Sequence, residues 1–273
     1  MSANISAVEE CGLEVLDLRD YPEFEARNLH LRDVARQMQG MQRIAHAFVE
    51  SPDTILQELV NAAVDLCDAD SAGISLEIDP EHRSDTNYFQ WVATAGEYGR
   101  FLNAILPRMP SACGTCLERG QPQLFRVSQQ FFDLMGIEAP TVTDGLLLPW
   151  QVDEVRGTIW IMAHGRAEAF DSGDCRMMQV LADFSAMAVR HERQQRTLMN
   201  QASATAAAAM ANDLAHQINN PLQSLTNLVY LAAEAKSGRD AKSLAAELSD
   251  HIHRLSVLVN KLLALPSATT LPR

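Results

Sequence analysis

The sequence has little of what a disulfide-built, membrane-spanning or nucleic-acid-binding protein needs. Its 273 residues include five cysteines, an odd number that does not suggest a disulfide framework in a chain of this length. No window approaches the roughly 18 consecutive apolar residues of a membrane span, and the alanine-rich ASATAAAAMAN (202–212) is too short and too polar. The opening MSANISAVEECGLEVLDLRD has neither a basic start nor an apolar run, so it does not read as a secretory signal. Basic residues are outnumbered, 22 Lys and Arg against 35 Asp and Glu, and they form no stripe, which argues against a nucleic-acid partner. These absences predict a reduced, cytoplasmic protein with no membrane or nucleic-acid partner.

What is there is an ordinary globular composition, 47% hydrophobic and 21% charged, long enough for one large domain or two small ones. The net charge of −13 is uneven. From Asn200 to Arg273 six Lys and Arg face five Asp and Glu, so the acidity belongs to the first 199 residues. Three blocks follow from the patterns: 1–50, 51–190 and 191–273.

The first block reads as an N-terminal helical segment, with a helical pattern from about Leu29 to Val49. The second mixes both periods. Ser51 and Pro52 look like a helix start, followed by an apolar stripe of Ile55, Leu59, Val60, Ala63 and Leu66. SAGISLEI, YFQWVATAGEY, PQLFRV, GLLLPWQV and VRGTIWIMAH read as strands. SACGTCLERG reads as a short helix closed by Gly120, and DEVRG (Asp153 to Gly157) as a tight hairpin between the last two strands. A further helix begins near Asp171. The order predicts an α+β fold, a mostly antiparallel sheet with helices packed on one face.

The third block is helical. Between Asp174 and Lys236 there is no glycine and one proline, Pro221. AKSGRDAK interrupts it. A second helix then carries Leu244, Leu248, Ile252, Leu255, Val259 and Leu262 and stops at Pro266. Each helix offers one apolar seam, on the first Leu214, Ile218, Leu222, Leu225 and Leu228 or Val229. An αα-hairpin covers two such seams best by dimerising into four helices.

Within that hairpin, AHQINNPLQSLTNLVYL (215–231) is unusual. His216 lies two residues from both Leu214 and Ile218, about 200° around the helix, so it points away from the seam. Asn219 and Asn220 share its face. Pro221 has no N–H and leaves the carbonyl of Gln217 without its helical donor. An exposed imidazole is a competent nucleophile, and neighbouring amides can position a water or a phosphoryl oxygen. His251 and His253 on the second helix read as surface residues.

LAHQINNPLQSLTNLVYLAAE (214–234), followed by LSDHIHRLSVLVNKLLAL (248–265), resembles the H-box and dimerisation hairpin of sensor histidine kinases, in the subtype with His-x-x-Asn-Asn-Pro-Leu. The resemblance implies that His216 is the phosphoacceptor of a phosphorelay. It also implies that Asn220 orients water during dephosphorylation of a partner regulator. Gln217 departs from the pattern, because such kinases carry a Glu or Asp there as a base and an amide cannot take a proton. The kinase ATP-binding domain would need about 100 or more further residues, and only Pro266 to Arg273 remain. ELVNAAVD (58–65) fits an amphipathic helix rather than a nucleotide-binding box.

PSACGTCLERGQPQLF (110–125), GLLLPWQVDEVRGTIWIMAH (145–164) and AFDSGDCRMMQVLADFSAMAV (169–189) together resemble a GAF domain of the kind attached to bacterial sensor kinases and phytochrome-like proteins. That resemblance implies a pocket for an unknown small molecule between one sheet face and its covering helices. A covalent bilin is not expected, since Cys113 is followed by Gly114. Neither His164 nor His82 has the context of a haem ligand. Cys113 and Cys116 form a C-x-x-C at a helix N-terminus, where the helix dipole would lower a thiol pKa. The pair reads first as pocket lining and second as the redox centre of a GAF-type methionine sulfoxide reductase. No second pair exists to make a zinc site, so no metal is expected.

The reading that follows is a dimeric two-component protein. Its GAF sensor is coupled to His216, which exchanges phosphate with a separate kinase ATPase domain or a response regulator. The alternatives are a non-catalytic dimeric ligand sensor and the Cys113/Cys116 redox enzyme.

Overall fold

The computed structural model describes residues 11–78, 88–234 and 238–263. His82 and the expected helix stop at Pro266 lie outside the described residues. The chain divides into two compact units, residues 1–193 and 194–273.

The first unit is built on seven strands: β1 (Leu13–Asp17), β2 (Ser71–Ile78), β3 (Tyr88–Gly96), β4 (Ile105–Pro107), β5 (Gln123–Val127), β6 (Val142–Val152) and β7 (Val155–Ala163). Their order in the sheet is β1-β5-β6-β7-β2-β3-β4, and every pairing is antiparallel. The β6–β7 hairpin turns over two residues, with Val152 opposite Val155 and Asp153 in the left-handed region at φ 51°.

Both sheet faces are covered, not one as the element order suggested, so the central strands read as apolar runs rather than as clean alternation. Side chains still alternate between two cores. Ile159, Ile161 and Ala163 of β7, with Leu146, Leu148 and Trp150 of β6, face a helical layer. That layer comprises α2 (Val34–Glu50), α3 (Ile55–Cys67) and the first turns of α6 (Ser172–Glu234). Trp160 and Met162 of β7 and Leu147 of β6 face the opposite way. They meet α4 (Ala112–Arg119), α5 (Gln129–Met135) and the Tyr98–Phe101 segment after β3. Trp160 fits only because β2 carries glycine beside it: a Cβ on Gly73 would lie 2.1 Å from its Cζ2.

Three local features differ from expectation. The N-terminal block is not wholly helical: Leu13–Asp17 pairs with β5 and extends the sheet, and a short helix α1 (Pro22–Glu25) follows. The next helix starts at Val34 rather than near Leu29. Asp33 caps it by accepting from the Ala35 N–H at 2.8 Å. The helix expected from Ser51 begins at Ile55, because Pro52–Thr54 forms a 3-10 turn first.

Residues 27–32 hold the root of α6. The Arg27 guanidinium donates to both oxygens of Asp144 on β6, at 2.8 and 3.2 Å, and to the Phe170 carbonyl at 2.6 Å. The Phe170 N–H donates to the same carboxylate. The two side chains are 4% and 0% exposed. Asp171 accepts from the Gly173 and Asp174 N–H groups while Asp174 accepts from the Asp171 N–H, a reciprocal cap that satisfies the free donors of a helix start. Arg32 forks onto Asp174 at 3.1 and 2.9 Å. Burial pushes the Asp174 carboxyl up despite Arg32. Burial also raises Asp171, but the N–H donors of His30, Asp174 and Gly173 outweigh it and hold that carboxyl below the usual range.

In the second unit, α6 continues through Pro221 and α7 spans Gly238–Leu263. The apolar row of α6 that is at least partly buried is Leu214, Ile218, Pro221, Leu225 and Leu228, with Ser224 beside it, and on α7 the partly buried row is Leu248, His251, Leu255 and Leu258. Both rows step by three and four residues. The seams expected from sequence therefore split. Leu222, Val229, Ile252 and Val259 form a second, outward set, 46%, 57%, 50% and 44% exposed.

Replacing Arg27 by Met leaves Asp144 buried and unpaired. Loss of one partner of a buried pair is expected to cost about 3–5 kcal/mol, read as a lower urea midpoint. Arg27→Met combined with Asp144→Leu should recover much of that loss.

Candidate functional site

Two places carry chemistry. The first is a cavity of about 70 Å³ between the sheet and α4 and α5. Its position follows from the start of α4. Ser111 caps that helix, accepting from the Gly114 N–H at 3.0 Å and donating to the Arg108 carbonyl at 2.7 Å. Gly114 is needed here, since a Cβ would lie 2.0 Å from the Arg108 carbonyl oxygen. The cap places Cys113 on the cavity wall, together with Trp160, Trp91, Tyr98, Phe125 and Phe132. The Trp91 and Trp160 ring centroids are 4.9 Å apart.

The cysteines correct one expectation. Cys113 Sγ lies 3.3 Å from Ser75 Oγ, which in turn lies 2.6 Å from Thr158 Oγ1. Burial pushes the Cys113 thiol up, against the pull of the Ser75 and Thr158 hydroxyls. Cys116 is fully buried, directed to the Leu147 carbonyl, and burial raises its thiol further. The helix dipole does not produce an activated thiolate, because desolvation outweighs it. These are lining and core residues.

His164 is also accounted for. Its Nε2 lies 2.8 Å from Ser71 Oγ, its Nδ1 lies 2.9 Å from the Thr141 carbonyl, and its ring stacks on Tyr98 at 5.1 Å. Both nitrogens are engaged, so the ring is not placed as a metal ligand. Elsewhere, His30, Asp171 and Asp174 offer three ligand atoms within 4.8 Å of one another. Those carboxylates are already committed to the α6 cap and to Arg32, so the cluster is structural.

The second place is the hairpin. His216 and Asn220 are both exposed, one turn apart on α6. The Gln217 amide donates to Asp213 at 2.8 Å. An open groove of about 420 Å³ is lined by Gln217, Asn220, Pro221 and Ser224 of α6 and by His251 and Arg254 of α7. Asn220 and Gln217 therefore share the groove, whereas His216 is not among its lining residues. His251 is half-buried, not the fully exposed residue that its sequence suggested. It occupies the inward row of α7, and its Nδ1 is buried without a partner among the described residues. The three- and four-residue spacing from Leu248 to Leu255 and Leu258 was the signal that could have placed it. No helix among the described residues is long and apolar enough to cross a membrane.

Raised thiol pKa values predict slow chemistry. At pH 8 iodoacetamide should alkylate Cys113 and Cys116 far more slowly in the folded protein than in urea. The folded rate should still be rising above pH 9, because each thiol titrates above its ordinary value of 9.0. Mass spectrometry of the digested protein reads both.

Among solved structures, the fold is similar to free methionine-R-sulfoxide reductase from Neisseria meningitidis, with 15% identity, TM-score 0.47, and coverage of 63% of this chain and 99% of that one. It is similar to the GAF domain of an Acinetobacter phosphoenolpyruvate-protein phosphotransferase, with 14% identity, TM-score 0.46, and coverage of 58% and 95%. A phycocyanobilin-bound GAF domain from a cyanobacterial phytochrome matches with 16% identity, TM-score 0.44, and coverage of 62% and 98%. No curated protein matches the sequence. The GAF domain family matches residues 49–190, just over half of the chain. With its curled antiparallel sheet and the helices on it, this chain belongs to the GAF-domain family.

Proposed function

We propose that the chain is a two-component signal-transduction protein in which the GAF domain senses a small molecule and His216 exchanges phosphate with a separate kinase ATPase domain or a response regulator. The observation that carries this reading is the exposed pair His216 and Asn220, one turn apart on a helix whose first turns belong to the GAF core. A neutral imidazole nitrogen attacks the phosphoryl group of a partner's aspartyl phosphate, and the P–O bond to the carboxylate breaks as the P–N bond forms. Such a transfer moves an already activated group, so positioning and electrostatics dominate. It depends less on a base at position 217 than attack on ATP does. Gln217, tied to Asp213, offers no base.

The same helices support a homodimer. Leu222 and Val229 on α6, and Ile252 and Val259 on α7, are exposed at seven-residue spacing. A second hairpin would bury these positions, as in a four-helix bundle. Each fully buried side chain of this size contributes about 1.5–3 kcal/mol. Exchange of Leu222 and Ile252 for glutamate should therefore halve the mass measured by light scattering. An unchanged mass defeats the dimer.

A phosphorylated response regulator from the same cell, or an isolated kinase ATPase domain, should label the wild type. His216→Ala should abolish the label. Gln217→Glu should raise labelling by the ATPase domain more than labelling by the regulator. If no such partner labels His216, the hairpin serves dimerisation alone and the chain is a non-catalytic ligand sensor. The redox reading through Cys113 and Cys116 is disfavoured by the burial that keeps both thiols protonated.

A further inference from the structure

The cavity beneath α4 has walls of an unusual kind. No carboxylate, Lys, Arg or His lines it among the described residues; its walls are aromatic and aliphatic apart from a few polar atoms. Most of those polar atoms are already used. Ser111 Oγ is spent on the α4 cap. The Tyr98 hydroxyl donates to the Pro140 carbonyl at 2.8 Å. The Cys113 thiol is matched with Ser75. Trp160 is different. It is 1% exposed, and its Nε1–H is buried with no acceptor among the described residues.

A buried indole N–H nearly always finds a partner. Trp160 cannot easily turn to find one in the protein, because its six-membered ring rests on Gly73 and its face packs against Trp91. Among the described residues Trp150 Nε1 is also without an acceptor, but Trp150 sits in the helical-layer core, away from this cavity. The third unpartnered atom, His251 Nδ1, belongs to the open polar groove of the hairpin; among the described residues, Trp160 is the orphan donor whose side chain lines the apolar cavity.

Size and charge narrow the occupant. The cavity holds about 70 Å³, roughly half of the ~150 Å³ cavity that takes up benzene. A wall without a cation cannot repay the desolvation of an anion. We infer that the ligand is a neutral molecule smaller than benzene, apolar over most of its surface, with one hydrogen-bond acceptor that takes the Trp160 Nε1–H. This deepens, and rests on, the reading of the domain as a small-molecule sensor.

The test uses the full chain labelled with ¹⁵N, in which Trp91, Trp150 and Trp160 supply the indole signals. Acetone carries an acceptor, xenon is apolar without one, and benzene probes size. Acetone should shift, saturably, the indole signal that disappears in Trp160→Phe. That variant should weaken acetone binding by about tenfold, the worth of one neutral hydrogen bond, without weakening xenon uptake, since the smaller ring only widens the cavity. Ala112→Leu fills the cavity and should abolish both, so the wild-type shift with this blocked control decides the matter even if Trp160→Phe does not fold. Benzene should stay out. Acetone that moves no indole signal, acetone bound equally by Trp160→Phe, or benzene taken up as readily as acetone overturns the inference. A cyclic nucleotide that shifts Trp160 overturns this ligand chemistry while keeping the sensor. If neither the probes nor a nucleotide enters, the sensor reading falls with it. Failure of His216 labelling alone touches only the phosphotransfer reading.

Discussion

The Arg27–Asp144 pair is the contact on which the first unit depends. It is buried on both sides, and it joins three segments far apart in the chain: the turn after α1, the start of β6, and Phe170, two residues before α6. An ion pair in this setting returns little net stability over an apolar filling, but breaking it leaves a charge without water. Its consequence is placement. Asp144 accepts from Arg27 and from the Phe170 N–H together, so the strand that lies between both cores also sets where the long helix begins. The Asp171–Asp174 cap and Arg32 then finish the helix start that this pair locates.

The two cores divide the work. On the helical side, packing is dense and the side chains are mostly aliphatic. On the other side, large aromatics replace aliphatics, and glycine at 73 and 145 makes room for them, a Cβ at Gly145 lying 2.5 Å from Phe125. Rigid rings packed around small residues leave a cavity that aliphatic chains would have filled. The same crowding that seats Trp160 leaves its N–H without an acceptor.

Much of this architecture was legible in the residues. The strands of β6 and β7, their hairpin at Asp153 and the capped helix between Ser111 and Gly120 follow from apolar runs and turn chemistry. The GAF resemblance drawn from Pro110–Phe125 and its companions agrees with the family match. Other features depend on contacts across the chain. β1 is five residues, two of them acidic, and it becomes a strand only because β5 offers an edge. Arg27 and Asp144 lie 117 residues apart, and no local pattern connects them. The C-x-x-C showed its helix N-terminus but not its burial, and burial decides the chemistry. In the hairpin the heptad rows were visible, but their division into inward and outward sets was not, so Leu222 was read as seam and His251 as surface.

The family match begins at residue 49, after both β1 and Arg27. A chain trimmed to residues 49–190 would look complete by that boundary, with every element that the match covers. It would nevertheless bare the β5 edge to solvent and strand the Asp144 carboxylate in a dry interior without its guanidinium. An open edge is a template for pairing with other chains, and a lone buried carboxylate resists folding unless it takes up a proton. The segment that precedes the match is therefore a working wall of the domain, and insolubility of the trimmed piece would reflect a missing strand rather than an unstable fold.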